Sequence, residues 1–273
     1  IMIRFLLLFY LTLFQQAEPI KAISYNIRYN NPKDGINVWE NRRETVASIL
    51  NEESADFVGL QEVVYPQLND LIVSLESYDH LGVGRKDGKT KGEYSPIFYK
   101  KEKFKVLKSN TFWLSQTPDS VSKGWDASLE RICTYGLFQN QITQEKIWVF
   151  NTHFDHRGEK ARINSVDLLV KKVNLLNSEN LPVIITGDFN LTPDQAPIQK
   201  MQFHFTDVQK DLPESDPQYG TSNGFDTEKI RKKRIDYIFI KGLKSKTAKH
   251  LYKKTPTGGW ASDHHPVIVL LEK

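Results

Sequence analysis

Two distant stretches of this chain spell the same pattern, and that echo limits the fold more than any other feature. Tyr25-Asn26-Ile27-Arg28-Tyr29-Asn30 is echoed by Phe150-Asn151-Thr152-His153-Phe154-Asp155. Each opens a strand–helix–strand unit whose second strand runs into a carboxylate, Glu62 in the first and Asp188 in the second. The spacing from asparagine to carboxylate is 36 residues in one unit and 37 in the other. Such a unit buries one sheet face under its helix and leaves the other apolar face for a partner. Two copies can stack sheet on sheet with helices outside. The expected fold is α/β, a four-layer α/β/β/α sandwich with two mixed sheets packed face to face. Six residues are few enough for chance to produce the match, so the elements between must carry the argument too.

In the first unit a strand is expected over 20–26 and a helix over 40–51, with Val46, Ile49 and Leu50 on one face. Phe57-Val58-Gly59-Leu60 is a buried strand, and Pro66 to Glu76 places Leu68, Leu71, Ile72 and Leu75 at helical spacing. Strands follow near Leu81 and over 95–100, 104–114, 134–141 and 147–153. The helix of the second unit runs from Lys160 to Leu176, with Ile163, Val166, Leu169, Val173 and Leu176 inward, and Val183-Ile184-Ile185 is its closing strand. Strands over 234–240, 247–252 and 267–271 complete the sheets. No Pro/Gly/Ser-rich linker interrupts this series, so residues 18–273 are read as a single catalytic domain.

The first residues differ from the rest. Arg4 precedes an almost wholly apolar run, Phe5 to Phe14, and Gln15-Gln16-Ala17 follows. This is the layout of a secretory signal peptide over 1–17, which implies a secreted or periplasmic protein. The run is short for a membrane span, and the alternative is a buried first strand. The one cysteine, Cys133, excludes an intramolecular disulfide and reads as a buried small residue. A net charge of +4 suits an anionic substrate without demanding one. The basic residues cluster in two loops, Lys86, Lys89 and Lys91, and Lys229, Arg231, Lys232, Lys233 and Arg234, where solvated surface is the plain alternative to substrate contact.

Polar residues recur at the ends of apolar strands: Asn26, Gln61-Glu62, His153, Asp188 and Asn190, Asp236, and Asp263-His264-His265. In layered α/β folds sites gather where strand ends meet. Carboxylate and amide oxygens suit hard cations, Mg²⁺ first, with Mn²⁺ and Ca²⁺ as alternatives. There is no Cys-rich or HExxH zinc pattern, no G-x-S-x-G elbow, no Walker A loop and no Rossmann glycine fingerprint, which disfavours zinc, serine-nucleophile and dinucleotide chemistry. Any one of these residues alone is more often a turn cap or a satisfied core group.

Six motifs in order resemble the endonuclease/exonuclease/phosphatase superfamily: Tyr25-Asn26-Ile27-Arg28, Leu60-Gln61-Glu62, Asn151-Thr152-His153, Gly187-Asp188-Phe189-Asn190, Arg234-Ile235-Asp236-Tyr237 and Ser262-Asp263-His264-His265-Pro266-Val267. The resemblance implies a phosphoesterase that attacks phosphorus with water. It implies Glu62 as main metal ligand with Asn26 nearby and Asp263 completing the metal side. Asp188 and Asn190 orient the water, and His264 works at the phosphate with Asp236 behind it. His153 is the second histidine, with Glu93 as its expected partner. A carboxylate behind each imidazole fixes its orientation and raises its pKa. His265 is assigned to structure. Arg131 and Asn223 are candidate substrate contacts; Arg131 serves equally well as an ion pair.

His153 separates the chain from the AP-endonuclease branch, and Asn190-Leu191-Thr192-Pro193 separates it from inositol polyphosphate 5-phosphatases. The first expected substrate is a nucleic acid or nucleotide, and the alternative is a phosphomonoester of a sugar, inositol or lipid headgroup. A binding module that has lost turnover is the reading of another class. Trp39 and Trp125 flank candidate rim segments where a base could stack or a loop could pack. No protein partner is implied, and a monomer is expected.

Overall fold

Strict alternation in two strands builds three separate cores. In the computed structural model, which describes residues 18–229 and 232–273, β1 (Ile20–Asn26) sends Ile23 and Tyr25 to one side and Ala22 to the other. β8 (Val183–Asp188) likewise sends Val183 and Ile185 outward and Ile184 inward. Successive strand residues face opposite ways, so each strand feeds two cores. The expected export signal, residues 1–17, lies outside the described residues, as does Arg231 of the second basic run.

The first sheet contains β1, β2 (Phe57–Gln61), β3 (Tyr78–Leu81), β4 (Ile97–Lys100), β11 (Lys244–His250) and β12 (Val267–Glu272), in the order β11-β12-β1-β2-β4-β3. The second contains β5 (Phe104–Trp113), β6 (Ile132–Asn140), β7 (Lys146–His153), β8, β9 (Thr206–Asp207) and β10 (Asp236–Lys241), in the order β5-β6-β7-β8-β10-β9. Helices α1 (Trp39–Glu53) and α2 (Tyr65–Ser74) cover the first sheet through Val46, Ile49, Leu50, Leu68 and Leu71. Helices α3 (Glu159–Leu176) and α4 (Ala196–His204) cover the second through Val166, Leu169, Val173, Ile198 and Met201. The buried residues of the core between the sheets all come from strands, among them Phe57, Phe138, Ile184, Ile238 and Val269. This is the expected four-layer sandwich.

The echo is structural. β1 pairs with β2 and β7 with β8, both in parallel, and both at the same offset: Asn26 lies opposite Gln61 and Asn151 opposite Thr186. Glu62 therefore corresponds in register to Gly187, and Asp188 lies one residue further along. That extra residue accounts for the unequal spacings.

Two expectations about burial need correction. Ile72 and Ile163 are 41% and 43% exposed. In α2 the buried arc turns toward Gln67, and in α3 toward Ala161 and Ser165, which leaves each isoleucine at the edge of its arc. α4 was not anticipated, because Ile198 and Met201 are its only buried residues and mark no stripe.

Candidate active site

Toward one end of the sandwich the core between the sheets turns from apolar to polar. Ser24 Oγ accepts from Gly187 N at 2.9 Å across the two sheets. Asn151 Oδ1 accepts from Gln61 Nε2 at 2.7 Å and from Thr186 Oγ1 at 3.0 Å, and its Nδ2 donates to the Leu60 and Pro96 carbonyls. Most of these buried groups satisfy one another, and Gln61 Oε1 is left without a hydrogen-bond partner in the protein. Gly59 permits the approach: a Cβ there would meet Thr186 Oγ1 at 1.9 Å.

Beyond this network lie the strand ends. His153, Asp188 and Asp236 stand in register across β7, β8 and β10, so their side chains share one face. Asn26 reaches this row from the other sheet. Its Nδ2 donates to Asp188 Oδ2 at 3.0 Å and to Glu62 Oε1 at 3.1 Å. Glu62, Arg28 and Asn190 all have left-handed backbone, with φ of 62°, 59° and 52°. Non-glycine residues seldom adopt this region, and their concentration here is local strain held by the site's contacts.

Asp188 and Asp236 are like charges side by side, and His264 offsets them. Its Nδ1 lies 2.8 Å from Asp236 Oδ2 and 3.9 Å from Asp188 Oδ2. Burial opposes a charge on His264, but Asp236, with Asp188 and Asp263 nearby, holds its pKa well above the usual imidazole value. Burial and then Asp236 push Asp188 up to about 7, against the His264 charge. The other histidine is driven the opposite way: burial, Arg131 and Arg85 hold His153 well below its usual value. Asn190 Nδ2 donates to the Phe154 carbonyl at 3.1 Å, which sets the amide so that the same nitrogen faces His153 Nε2 at 3.1 Å. His153 Nε2 is then the acceptor, and the ring proton sits on Nδ1.

The expected partner of that proton is only partly in place. Glu93 Oε2 lies 3.9 Å from His153 Nδ1, beyond hydrogen-bond reach. Both Glu93 oxygens instead accept from Arg85, at 2.8 Å each. A bidentate guanidinium outcompetes a neutral imidazole for a carboxylate.

Arg28 Nη1 lies 4.0 Å from Glu62 Oε2 and 3.8 Å from Asp263 Oδ2, so these carboxylates flank one cation. Burial raises the Asp263 pKa and Glu62 adds to this, against His264 and Arg28. Two carboxylates flanking one cation, with the Asn26 amide beside them, offer oxygen donors that fit a hard divalent cation. The Asp188, Asp236 and His264 donor atoms also lie within 4.8 Å of one another. Of the two sets the Glu62 side fits better, because His264 Nδ1 is already committed to Asp236.

A cleft of about 360 Å³ gathers Arg28, Glu62, Glu93, Arg131, His153, Asp188, Asn190 and His264 along its walls. Asn223 is not among them. Its Nδ2 donates to the Ser262 carbonyl at 3.1 Å, and its backbone N donates to the Asp263 carbonyl at 2.8 Å. It thus buttresses the loop behind Asp263 and His264 and lines a neighbouring cleft of about 400 Å³ instead. Trp39 and Trp125 do not line the cleft either; Trp39 is buried and donates from Nε1 to Asp70. Arg234 is buried in a bidentate pair with Asp207. His265 stacks on Tyr252 with ring centroids 3.9 Å apart, in a structural place. Cleft-lining residues that the sequence reading passed over include His156, three positions after His153, and Tyr29 beside Arg28. Their closeness to recognised motifs was the signal available.

A model of the Endonuclease/Exonuclease/phosphatase family matches residues 23–264. The solved endonuclease/exonuclease/phosphatase from Bacteroides vulgatus is 35% identical with a TM-score of 0.85, over 94% of this chain and 99% of that one. The mannosyl-6-phosphatase Bt3783 of Bacteroides thetaiotaomicron VPI-5482 is 36% identical with a TM-score of 0.85, over 93% of this chain and 100% of that one. The CCR4-Not complex 3'-5'-exoribonuclease subunit Ccr4 of Kluyveromyces lactis is 24% identical over 222 residues, which is 68% of this chain and 28% of that protein. The chain spans between 28% and 59% of the length of the curated relatives it matches.

Proposed function

The chain belongs to the endonuclease/exonuclease/phosphatase family, and we propose that it hydrolyses phosphate monoesters of small, sugar-type molecules with a divalent cation, Mg²⁺ in the first place. The observation that carries this reading is the convergence of Glu62, His153, Asp188, Asn190 and His264 on one small-molecule-sized cleft, with the buried Asn26 amide holding Glu62 and Asp188 from behind. Held by Glu62, Asp263 and Asn26, the cation would neutralise charge on the phosphoryl oxygens. Asp188 takes the proton of the attacking water, with Asn26 and Asn190 holding its carboxylate in place. Asp236 grips His264 through Nδ1, which leaves Nε2–H as a charged donor for a phosphoryl oxygen. His153 stays neutral.

Three placements move the reading from nucleic acid to a small monoester. Trp39, a candidate base platform, is core. Arg234, the last of the second basic run, is spent on Asp207. The neighbour named as a sugar phosphatase matches nearly the whole chain, whereas the nuclease relative matches at lower identity over two thirds of it. Export through residues 1–17 is part of the same proposal. Among the described residues no helix is long and apolar enough to cross a membrane.

Purified protein would be assayed with Mg²⁺, Mn²⁺, Ca²⁺ or EDTA on mannose 6-phosphate, glucose 6-phosphate, RNA and single-stranded DNA. Metal-dependent release of inorganic phosphate from the sugar esters, lost in His264→Ala, is expected. Turnover confined to the nucleic acids would sink the monoester reading.

A further inference from the structure

We propose that Arg131 and His156 form a preset two-donor clamp for a terminal phosphoryl group, and that this clamp makes the cleft prefer phosphate dianions to diesters. The inference rests on the phosphoesterase reading of the cleft and names the feature that selects within it.

The clamp begins with Asp155, two residues beyond His153. Its Oδ1 accepts from the backbone N of Arg157 at 2.9 Å and of Gly158 at 2.7 Å. Its Oδ2 accepts from Ser128 N at 3.1 Å, Ser128 Oγ at 2.8 Å and Arg131 Nε at 3.3 Å. Burial works against this charge, but so many donors hold the carboxyl well below the usual carboxylate range. Asp155 is thus a fixed anion that pins Arg131, which is only 4% exposed.

Arg131 in turn sets His156. Its Nη2 lies 2.9 Å from His156 Nδ1. A guanidinium only donates, so Nδ1 must accept and the His156 proton sits on Nε2. Burial and the Arg131 charge hold the His156 pKa below its usual value, in keeping with a neutral ring. With Nε and Nη2 committed, Arg131 Nη1 is left buried without a hydrogen-bond partner in the protein. Both side chains line the cleft beside His153 and Asn190.

A buried, charged donor without a partner is costly, and an anion in the cleft removes the cost. Two donors of fixed orientation, one of them charged, suit a phosphoryl oxygen. A monoester offers three non-bridging oxygens and close to two negative charges, whereas a diester offers two oxygens and one charge. The cation and His264 serve oxygens that both ester types have. The Arg131–His156 clamp serves the oxygen that only a monoester leaves unesterified.

The test compares Arg131→Met, His156→Ala and His156→Gln with the parent. Isothermal titration calorimetry with Mg²⁺ present would measure binding of inorganic phosphate and of dimethyl phosphate. Rates on p-nitrophenyl phosphate and bis-p-nitrophenyl phosphate would give the monoester-to-diester ratio of kcat/KM. Arg131→Met should weaken phosphate binding by about 100-fold and His156→Ala by about 10-fold, with dimethyl phosphate binding changed less than about threefold. The kcat/KM ratio should fall in step, and His156→Gln, which keeps a side-chain N–H, should recover most of it. Equal losses for phosphate and dimethyl phosphate would overturn the clamp, and so would unchanged phosphate binding in His156→Ala. His156 makes no hydrogen bond to Asp155 itself, so its variants leave that carboxylate's donors in place and remain informative if Arg131→Met fails to fold. None of these probes contains a sugar, so a failure of the sugar-phosphate assay with the clamp result intact would remove only the substrate reading.

Discussion

Asn26 Nδ2 donates both to Glu62 of its own half and to Asp188 of the other, so one amide sets the spacing between the proposed metal side and the water side. A second pair is as constrained. Asp236 and His264 meet at 2.8 Å with both side chains buried, and the histidine charge depends on that carboxylate. Asp236→Asn keeps the shape and removes the charge. We expect kcat on phosphate esters to fall by about 100- to 1,000-fold with KM changed less than about threefold, because the charged donor acts at the transition state. A kcat within threefold of the parent would mean that His264 works without Asp236. At this scale the motif positions were legible in the sequence. Pairings were not. Glu93 was expected to serve His153 and instead binds Arg85, because chain order does not reveal a competing cation.

Between elements the decisive contact is the approach of the two strand–helix–strand units. β2 and β8 come close enough at Gly59 that a methyl would lie 1.9 Å from Thr186 Oγ1 and 2.7 Å from Asn151 Oδ1. Gly59→Ala should therefore destabilise the protein by about 1–3 kcal/mol through overpacking. The denaturant midpoint would report this, and an unchanged midpoint would show that the sheets yield freely at that point. The same variant should reduce turnover, since Asn26 reaches Asp188 across this interface. The repeat itself was legible, because strand periodicity and the echo of Tyr25-Asn26 in Phe150-Asn151 are local patterns. α4 and the burial edges at Ile72 and Ile163 were not, because they depend on how each helix is rotated against its sheet.

Over the whole molecule, the groups buried on folding tie stability to pH. His250, at the end of β11, is 2% exposed; its Nδ1 faces the Gln218 carbonyl and its Nε2 the Gln209 side chain. Burial lowers its pKa to about 4, and the Arg234 charge adds to this against the Gln218 carbonyl. In the unfolded chain a histidine titrates near 6.5, so between these values the unfolded state binds more protons. The contribution is complete above about pH 6.5 and is lost as pH falls through 4, to a total of about 3 kcal/mol. Denaturant midpoints from pH 8 to pH 4 should show this decline, and His250→Gln should flatten it. An equal slope in that variant would assign the effect to other groups.

The sequence by itself determined the four layers, the repeated unit and the positions of Asn26, Glu62, His153, Asp188, Asn190, Asp236, Asp263 and His264. Alternation and the polar punctuation of strand ends are read along a few neighbouring residues, and a strand's register carries them into space unchanged. Only the tertiary structure decided which donors each group keeps free. Arg131 spends Nε on Asp155 and Nη2 on His156, Arg234 is consumed by Asp207, and Asn223 supports the Asp263 loop from behind. Those choices follow from distances between segments far apart in the chain, and hydrogen bonding selects among them by angstroms that no local pattern records.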